Sequence, residues 1–162
     1  MRSLSIGNGK ILHTYCKKAP RRLRCHSFVF LLRLSNAAWD ALLGDFDPAR
    51  IALLRELRSR CRIFLLSNTN PQHRETILRR FSEQIGGDMN ALFEQAFYSD
   101  LLRCVKPNRE IYEKVEKLAG LVPAETLFID DKEENVAAAR ECGWRAYRLD
   151  PAKETILDLF RA

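Results

Sequence analysis

Short apolar runs alternate along the chain with longer amphipathic stretches, and this alternation is typical of an α/β protein. Ile63 to Leu66 and Leu127 to Ile129 are continuously apolar, as strands are when both of their faces are covered. Phe93 to Tyr98 predicts a further strand, and Arg145 to Leu149 predicts a final edge strand. Because helical stretches separate these strands, we expect parallel pairing with right-handed crossovers. The predicted fold class is a three-layer α/β/α, Rossmann-like parallel sheet.

The helical stretches are marked by apolar residues at helical spacing and by residues that start or stop helices. Asp47-Pro48 predicts one start, and Gly44, Gly120 and Gly143 predict three stops. The predicted helices are Ser35 to Leu43, Pro48 to Leu57, Gln72 to Phe81, Pro107 to Leu118, an Ala-rich stretch before Gly143, and Lys153 to Phe160.

Positive charge is concentrated at the start of the chain. The 162 residues carry a net charge of +6, yet residues 1–34 hold eight Lys or Arg and no Asp or Glu, whereas the rest hold 19 against 21. An apolar content of 46% with 30% charged residues indicates one compact domain. We therefore expect a basic N-terminal segment, residues 1–34, that is poorly ordered or atypical, followed by a globular part, residues 35–162.

The basic cluster between Lys17 and Arg24 is typical of transit peptides and of arms that bind nucleic acid or anionic lipid. It has neither a helical moment nor an RNA-binding aromatic motif, so the favoured interpretation is a disordered tail, or a start that does not belong to the domain's ancestral sequence. Nucleic-acid binding is disfavoured but left open. The longest apolar run, Phe28 to Leu32, is too short to cross a bilayer, and no membrane span is expected.

The five cysteines are scattered and include no Cys-x-x-Cys pair, which argues against a disulfide framework and against a zinc site. His13, Cys16, Cys25 and His26 are irregularly spaced, and a metal cluster there is not favoured. This cysteine usage predicts a reducing compartment, the cytoplasm.

Two consecutive carboxylates, Asp130 and Asp131, follow the apolar run that ends at Ile129. In an open α/β sheet, ligands bind outside the carboxyl ends of the strands, and paired carboxylates there suit Mg²⁺. The alternative is that Asp131 caps the following helix and Asp130 is a solvated turn residue. The pair alone does not decide between a metal site and a cap.

Two further polar features stand where a strand meets a helix. The turn Ser67-Asn68-Thr69-Asn70 offers hydroxyls, amides and helix N–H groups to an anion, although these residue types also cap helices. Lys106 precedes Pro107 and is predicted to be held at the mouth of the sheet, the alternative being an ordinary exposed lysine. His73 is expected to be a surface or packing residue.

Three signals follow one another along the chain: the turn Ser67-Asn68-Thr69-Asn70, then Lys106-Pro107, then Asp130-Asp131 with Asn135. Together they resemble the haloacid dehalogenase-like hydrolase superfamily, in the branch with a small helical cap inserted early in the chain. The likeness runs from about Ser35 to the C-terminus, about four-fifths of the sequence. It implies that Ser67 and Asn68 contact a transferring phosphoryl group, that Lys106 neutralises charge, and that Asp130 and Asp131 hold Mg²⁺. It also implies that the chain is a Mg²⁺-dependent phosphatase of a small phosphorylated metabolite, and it assigns residues 35–46 to a remnant of the cap.

The family's first strand ends in Asp-x-Asp, whose first Asp attacks phosphorus and whose second acts as acid and base. The first acidic residue of this chain is Asp40, and Phe28 to Leu32 ends on Arg33 where the nucleophile would stand. We therefore expect an N-terminally incomplete core, a weakened Mg²⁺ site and little or no turnover. The alternatives to an impaired phosphatase are a non-catalytic module that binds phosphate, Mg²⁺ or a polyanion, and a truncated gene product. Phosphatase and dehalogenase chemistry both need the absent Asp.

The family's first strand lies in the centre of the sheet. We predict that Phe28 to Leu32 fills this place, between the strands at Ile63 to Leu66 and Leu127 to Ile129. Without it, the neighbouring strands would have exposed edges, through which the chain could self-associate.

Overall fold

Within the described residues the sheet has five parallel strands, and its central strand is formed by a short segment near the start of the chain. A computed structural model describes residues 27–30 and 46–160. The strands are β1 (Ser27–Phe30), β2 (Arg62–Ser67), β3 (Gln95–Tyr98), β4 (Thr126–Asp130) and β5 (Arg145–Arg148). Their order is β3-β2-β1-β4-β5, and every pairing is parallel. The predicted fold class is confirmed.

Helices connect the strands. They are α1 (Pro48–Arg58), α2 (Pro71–Gln84), α3 (Ser99–Leu102), α4 (Arg109–Ala119), α5 (Glu133–Glu141) and α6 (Ile156–Phe160), with 3₁₀ turns at Met89–Leu92 and Pro123–Glu125. The predicted stops at Gly120 and Gly143 are confirmed, since both residues adopt left-handed φ angles, 58° and 83°. None of the helices in the described part of the chain is long and apolar enough to cross a membrane.

Alternating side chains of the central strands pack on opposite faces of the sheet, and this produces three layers. Ile63 and Leu65 belong to one apolar cluster, which includes buried residues of α1, α2 and α6. Phe64 and Leu66 belong to a second cluster with Val29 and buried residues of α4 and α5. The sheet is therefore covered on both faces, as its continuously apolar strands predicted.

β1 lies between β2 and β4. Phe30 pairs with Leu65 of β2 and with Ile129 of β4, both in parallel. The prediction that this segment fills the centre of the sheet is confirmed over Ser27–Phe30. Leu31, Leu32, the rest of residues 1–34 and the predicted helix from Ser35 to Leu43 lie outside the described residues.

Three predicted helix boundaries are wrong. α2 continues past Phe81 to Gln84 because no helix breaker occurs before Gly86. α4 begins at Arg109 after the N-cap residue Asn108, so Pro107 precedes the helix, and Ala119 rather than the exposed Leu118 completes its buried face. α6 begins at Ile156, after a turn in which Asp150 accepts hydrogen bonds from the backbone N–H groups of Lys153 and Glu154.

Val29 tests the central place of β1, because its side chain is completely buried. We expect Val29→Ala to lower the free energy of unfolding by about 2 kcal/mol, from lost burial and the cavity left behind. The matched control is Val122→Ala, at a residue 53% exposed, for which the loss should stay below about 0.5 kcal/mol. Urea denaturation measures both values. Equal losses for the two variants would contradict a central β1.

Candidate functional site

The predicted site residues meet at the carboxyl edge of the sheet. Ser67 ends β2 and Asp130 ends β4, while Lys106 lies in the loop between α3 and α4. That loop begins at Arg103, whose left-handed φ of 56° ends α3, and the Lys106–Pro107 peptide bond is cis. The structure therefore brings three separate sequence signals to one edge, as the resemblance implied.

The Lys106 ammonium joins two strands across the end of the central one. Its Nζ donates to Leu66 O at 2.8 Å and to Asp130 Oδ2 at 3.0 Å. The side chains of Lys106 and Asp130 are only 1% and 0% exposed. Leu66 and Asp130 each lie one residue beyond the two partners of Phe30, so the ammonium spans β1 at its carboxyl end. Lys106 is thus a buried residue of the site, and the alternative of an ordinary exposed lysine is wrong.

Three donor groups make four hydrogen-bond contacts with Asp130, as many as the lone pairs that an ionised carboxylate presents, because the Asn135 amide is shared between both oxygens. Oδ1 accepts from Lys132 N at 2.9 Å and from Asn135 Nδ2 at 3.0 Å. Oδ2 accepts from Lys106 Nζ at 3.0 Å and from Asn135 Nδ2 at 3.1 Å. The carboxylate is therefore saturated by donors of the chain itself.

Burial lowers the pKa of Lys106 because removing an ammonium from water disfavours its charged form. The adjacent Asp130 carboxylate acts in the opposite direction and offsets part of this effect. The two side chains consequently depend on each other, since either one alone would be a buried charge without a counter-ion.

Asn68 ties the Ser67 turn to the Lys106 loop. Its Nδ2 donates to Lys106 O at 2.8 Å, and its Oδ1 accepts from Lys106 N at 2.9 Å. A second link joins Thr69 and Ser99, since Ser99 Oγ accepts from Thr69 N at 2.9 Å and donates to Thr69 O at 3.0 Å. These bonds hold the backbone of Lys106 in place from β2.

Three buried side-chain oxygens at this edge have no hydrogen-bond partner within the described residues, namely Ser67 Oγ, Asp100 Oδ1 and Asn135 Oδ1. Ser67 is completely buried at the end of β2. Farther along the same turn, Asn70 Oδ1 accepts from His73 N at 2.9 Å and caps α2. The capping alternative is confirmed for Asn70, whereas Ser67 retains unused hydrogen-bonding capacity inside the protein.

The alternative in which Asp131 caps the following helix and Asp130 is a solvated turn residue is wrong. Asp130 is only 1% exposed and is no solvated turn residue. The N-cap of α5 is Lys132, whose side chain makes no capping bond, rather than Asp131. Asp131 is half-buried beside the saturated Asp130.

These residues do not fit a Mg²⁺ ion in this arrangement. Mg²⁺ requires oxygen ligands in near-octahedral geometry, and every lone pair of Asp130 already faces an N–H donor. Across residues 27–30 and 46–160, no group of three His, Cys, Asp or Glu side chains is placed to hold a metal. Of the two aspartates, Asp131 alone is left as a candidate ligand.

Sequence reasoning included Asn135 in the Asp130-Asp131 signal but assigned no role to it or to Tyr112. Asn135 contacts both oxygens of Asp130, and Tyr112 Oη donates to Asn135 O at 2.9 Å. Asn135 lies in the first turn of α5, directly beyond the strand end. A buried amide so close to two aspartates is the signal that could have identified it.

A family model for haloacid dehalogenase-like hydrolases matches residues 23–143, which include β1, the Ser67 turn, Lys106 and both aspartates. A similar solved structure is a HAD family enzyme from Bacteroides thetaiotaomicron in complex with magnesium and inorganic phosphate. It is 33% identical, with a TM-score of 0.68, over 80% of this chain and 67% of that one.

Two phosphatases are also similar to the chain. D-ribitol-5-phosphate phosphatase of Bacteroides thetaiotaomicron is 28% identical over 114 residues, which are 70% of this chain and 55% of that enzyme. An enolase-phosphatase of Sulfurihydrogenibium sp. is 30% identical over 126 residues, 74% of this chain and 53% of that enzyme. The chain spans about half the length of these relatives.

Lys106→Met tests whether the buried ion pair holds the site together. The variant leaves Asp130 as an uncompensated buried carboxylate, and we expect a loss of about 3 to 5 kcal/mol in the free energy of unfolding. Lys117→Met, at an exposed lysine of α4, is the control and should change stability by less than about 0.5 kcal/mol. Denaturant titration compares the two. A small effect at Lys106 would mean that Asp130 is neutral or accessible to water.

Asn68→Ala tests the link between the two loops. Loss of both amide bonds to Lys106 should cost about 2 kcal/mol. Asn108→Ala is the matched control, because the Asn108 side chain makes no capping bond to α4. Thermal denaturation should show a clearly lower midpoint for Asn68→Ala than for Asn108→Ala. Equal midpoints would show that the hydrogen bonds between the Asn68 amide and the Lys106 backbone contribute nothing to stability.

Proposed function

The chain belongs to the haloacid dehalogenase-like hydrolase family, and from this premise we propose that its site binds the phosphate group of a small phosphorylated metabolite and hydrolyses it poorly or not at all. The observation that carries the proposal is the buried Lys106 ammonium, held by Leu66 and Asp130 over the end of the central strand. A phosphate monoester needs a fixed cation at the place where it reacts.

The roles of the other residues are inferred from their contacts. An ammonium has three N–H groups, and Leu66 and Asp130 accept two of them, which leaves one for a phosphate oxygen. The unpartnered Ser67 Oγ is a second donor for the same group. Because its amide is engaged with the Lys106 backbone, Asn68 positions Lys106. Since Ser67 and Lys106 are buried, phosphate must displace neighbouring groups to reach them.

Poor turnover is proposed because the three residues that directly follow β1 include no acidic residue. The family's first strand leads into Asp-x-Asp, whereas Phe30 is followed by Leu31, Leu32 and Arg33, none of which can form an aspartyl-phosphate. Within the described residues, Ser67 Oγ has no hydrogen-bond partner that could serve as its base, and Lys106 is committed to its ion pair. Among the described residues, the site therefore offers groups that can neutralise a phosphate group but none assigned to attack phosphorus.

The substrate class is inferred from the similar enzymes, since one of them is a phosphatase of D-ribitol 5-phosphate. We propose a phosphate monoester of similar size and no particular compound. The similar HAD family enzyme is in complex with magnesium, whereas the hydrogen bonds of Asp130 in this chain leave at most a weak Mg²⁺ site, with Asp131 as its carboxylate. The cytoplasmic location is proposed from the cysteine usage of the sequence. Polyanion binding by residues 1–34 and self-association through a sheet edge stay predictions.

Phosphate binding and phosphate release test the two halves of the proposal separately. We expect inorganic phosphate to bind in a calorimetric titration and Ser67→Ala to weaken it about tenfold, the value of one hydrogen bond to a charged group. Ser82→Ala, at an exposed serine of α2, should bind as the wild type does. Absence of phosphate binding would reject the site.

The catalytic half is tested with an aryl phosphate in the presence of Mg²⁺. We expect phosphate release close to the rate without protein. Release that depends on the protein and disappears in Asp130→Ala would show that the chain has a working nucleophile elsewhere.

A further inference from the structure

Asp130 can take one of two cations, a divalent metal or the Lys106 ammonium. In this chain the choice is set by hydrogen bonds that leave the carboxylate no free lone pair. For a metal to bind Asp130, one of the donors from Lys106, Lys132 and Asn135 must leave. The loss of any of these contacts would leave a buried donor without its acceptor or displace the start of α5.

Breaking the contact between Lys106 and Asp130 would cost the most free energy. The ammonium would keep only Leu66 O as a partner, since Asp130 is the one acidic side chain with which it forms an ion pair in the described part of the chain. A buried ammonium without its counter-ion is strongly unfavourable. The ion pair would therefore have to be replaced by a metal with enough other ligands to compensate.

Release of Asn135 is unfavourable for a different reason. Its Nδ2 would lose both acceptors, and its Oδ1 already has no partner among the described residues. The side chain belongs to a residue only 3% exposed, so water does not easily replace these bonds. Lys132 donates through its backbone N–H at the residue that caps α5, and moving it would displace the start of that helix.

Other ligands for a metal are scarce. Asp131 is the neighbouring carboxylate, and no set of three ligand-type side chains is assembled anywhere in residues 27–30 and 46–160. One partly exposed carboxylate binds Mg²⁺ weakly, because the ion gives up its water reluctantly. The gain from a metal at Asp131 cannot offset the loss of the Lys106–Asp130 pair.

We propose that Lys106 serves as the permanent cation of this site and that the chain does not bind Mg²⁺ through Asp130. The site is then charge-balanced without metal, and any anion that it holds is bound by side chains of the protein alone. This inference concerns cation binding only and does not depend on whether phosphate is bound or hydrolysed.

The first test compares the wild type with Asp130→Asn, using Mn²⁺ as a probe that Mg²⁺ displaces. Free Mn²⁺ is followed by electron paramagnetic resonance during titration with the full chain. We expect the two proteins to bind Mn²⁺ equally and weakly, with no rise in the unfolding temperature of the wild type when MgCl₂ replaces NaCl at equal ionic strength. Tighter binding by the wild type, lost in Asp130→Asn, would overturn the proposal.

The second test removes the internal cation. Lys106→Met frees one lone pair of Asp130 and leaves its charge unbalanced, so this variant should gain a site that binds Mn²⁺ at least about tenfold more tightly than the wild type. MgCl₂ should raise its unfolding temperature. Lys117→Met should behave as the wild type, and adding Asp130→Asn to Lys106→Met should abolish the gain.

If Lys106→Met folds only when Mg²⁺ or Mn²⁺ is present, the proposal is supported, because the metal then replaces the lost ammonium. If the variant folds and gains no cation affinity, the proposed competition for Asp130 is wrong. If it folds under neither condition, the comparison of the wild type with Asp130→Asn decides the question.

Discussion

The buried ion pair between Lys106 and Asp130 is the interaction on which the carboxyl edge of this protein depends. Leu66, Lys106 and Asp130 are far apart in the sequence, and the one ammonium group holds them together across the end of β1. Removing two charges from water is unfavourable unless their remaining hydrogen-bonding capacity is also used. Asn135 and Lys132 meet this requirement on the acidic side, and Leu66 O meets part of it on the basic side.

The ion pair in turn requires the central strand. β1 separates β2 from β4, so it sets the distance that the Lys106 side chain spans. It also completes the apolar cover on which the burial of the site depends, since Val29 packs with Phe64 and Phe128 of its two neighbours. A strand of four residues thus contributes to both the core and the site, although the residues after it carry no acid.

The similarity to phosphatases depends on the sequence and the fold, whereas the chemistry of the site depends on which of its hydrogen-bond donors and acceptors are unused. The family match covers residues 23–143, which contain the sheet from β1 to β4, the hydroxyl-bearing turn, the lysine and both aspartates. Whether these parts bind metal, bind phosphate or catalyse depends on which hydrogen-bond acceptors and donors are still unused. Here Asp130 has no unused lone pair, while Ser67 keeps an unused hydroxyl within the described residues. Related chains can therefore share a fold and a set of residues and still differ in chemistry.

The order of strands and helices and the position of the three polar signals were determined by the sequence alone. Ile63 to Leu66 and Leu127 to Ile129 had to be buried strands because apolar side chains in succession leave no face for water. Polar residues directly after such strands had to meet at one edge because parallel strands end together. Tertiary structure alone decided that every lone pair of Asp130 is engaged, that Asn68 bonds the Lys106 backbone, and that Asn135 contacts both oxygens of Asp130. Periodicity reports which face of an element is buried, but hydrogen-bond partners far apart in the chain are chosen by distances and angles that exist only after the elements have packed.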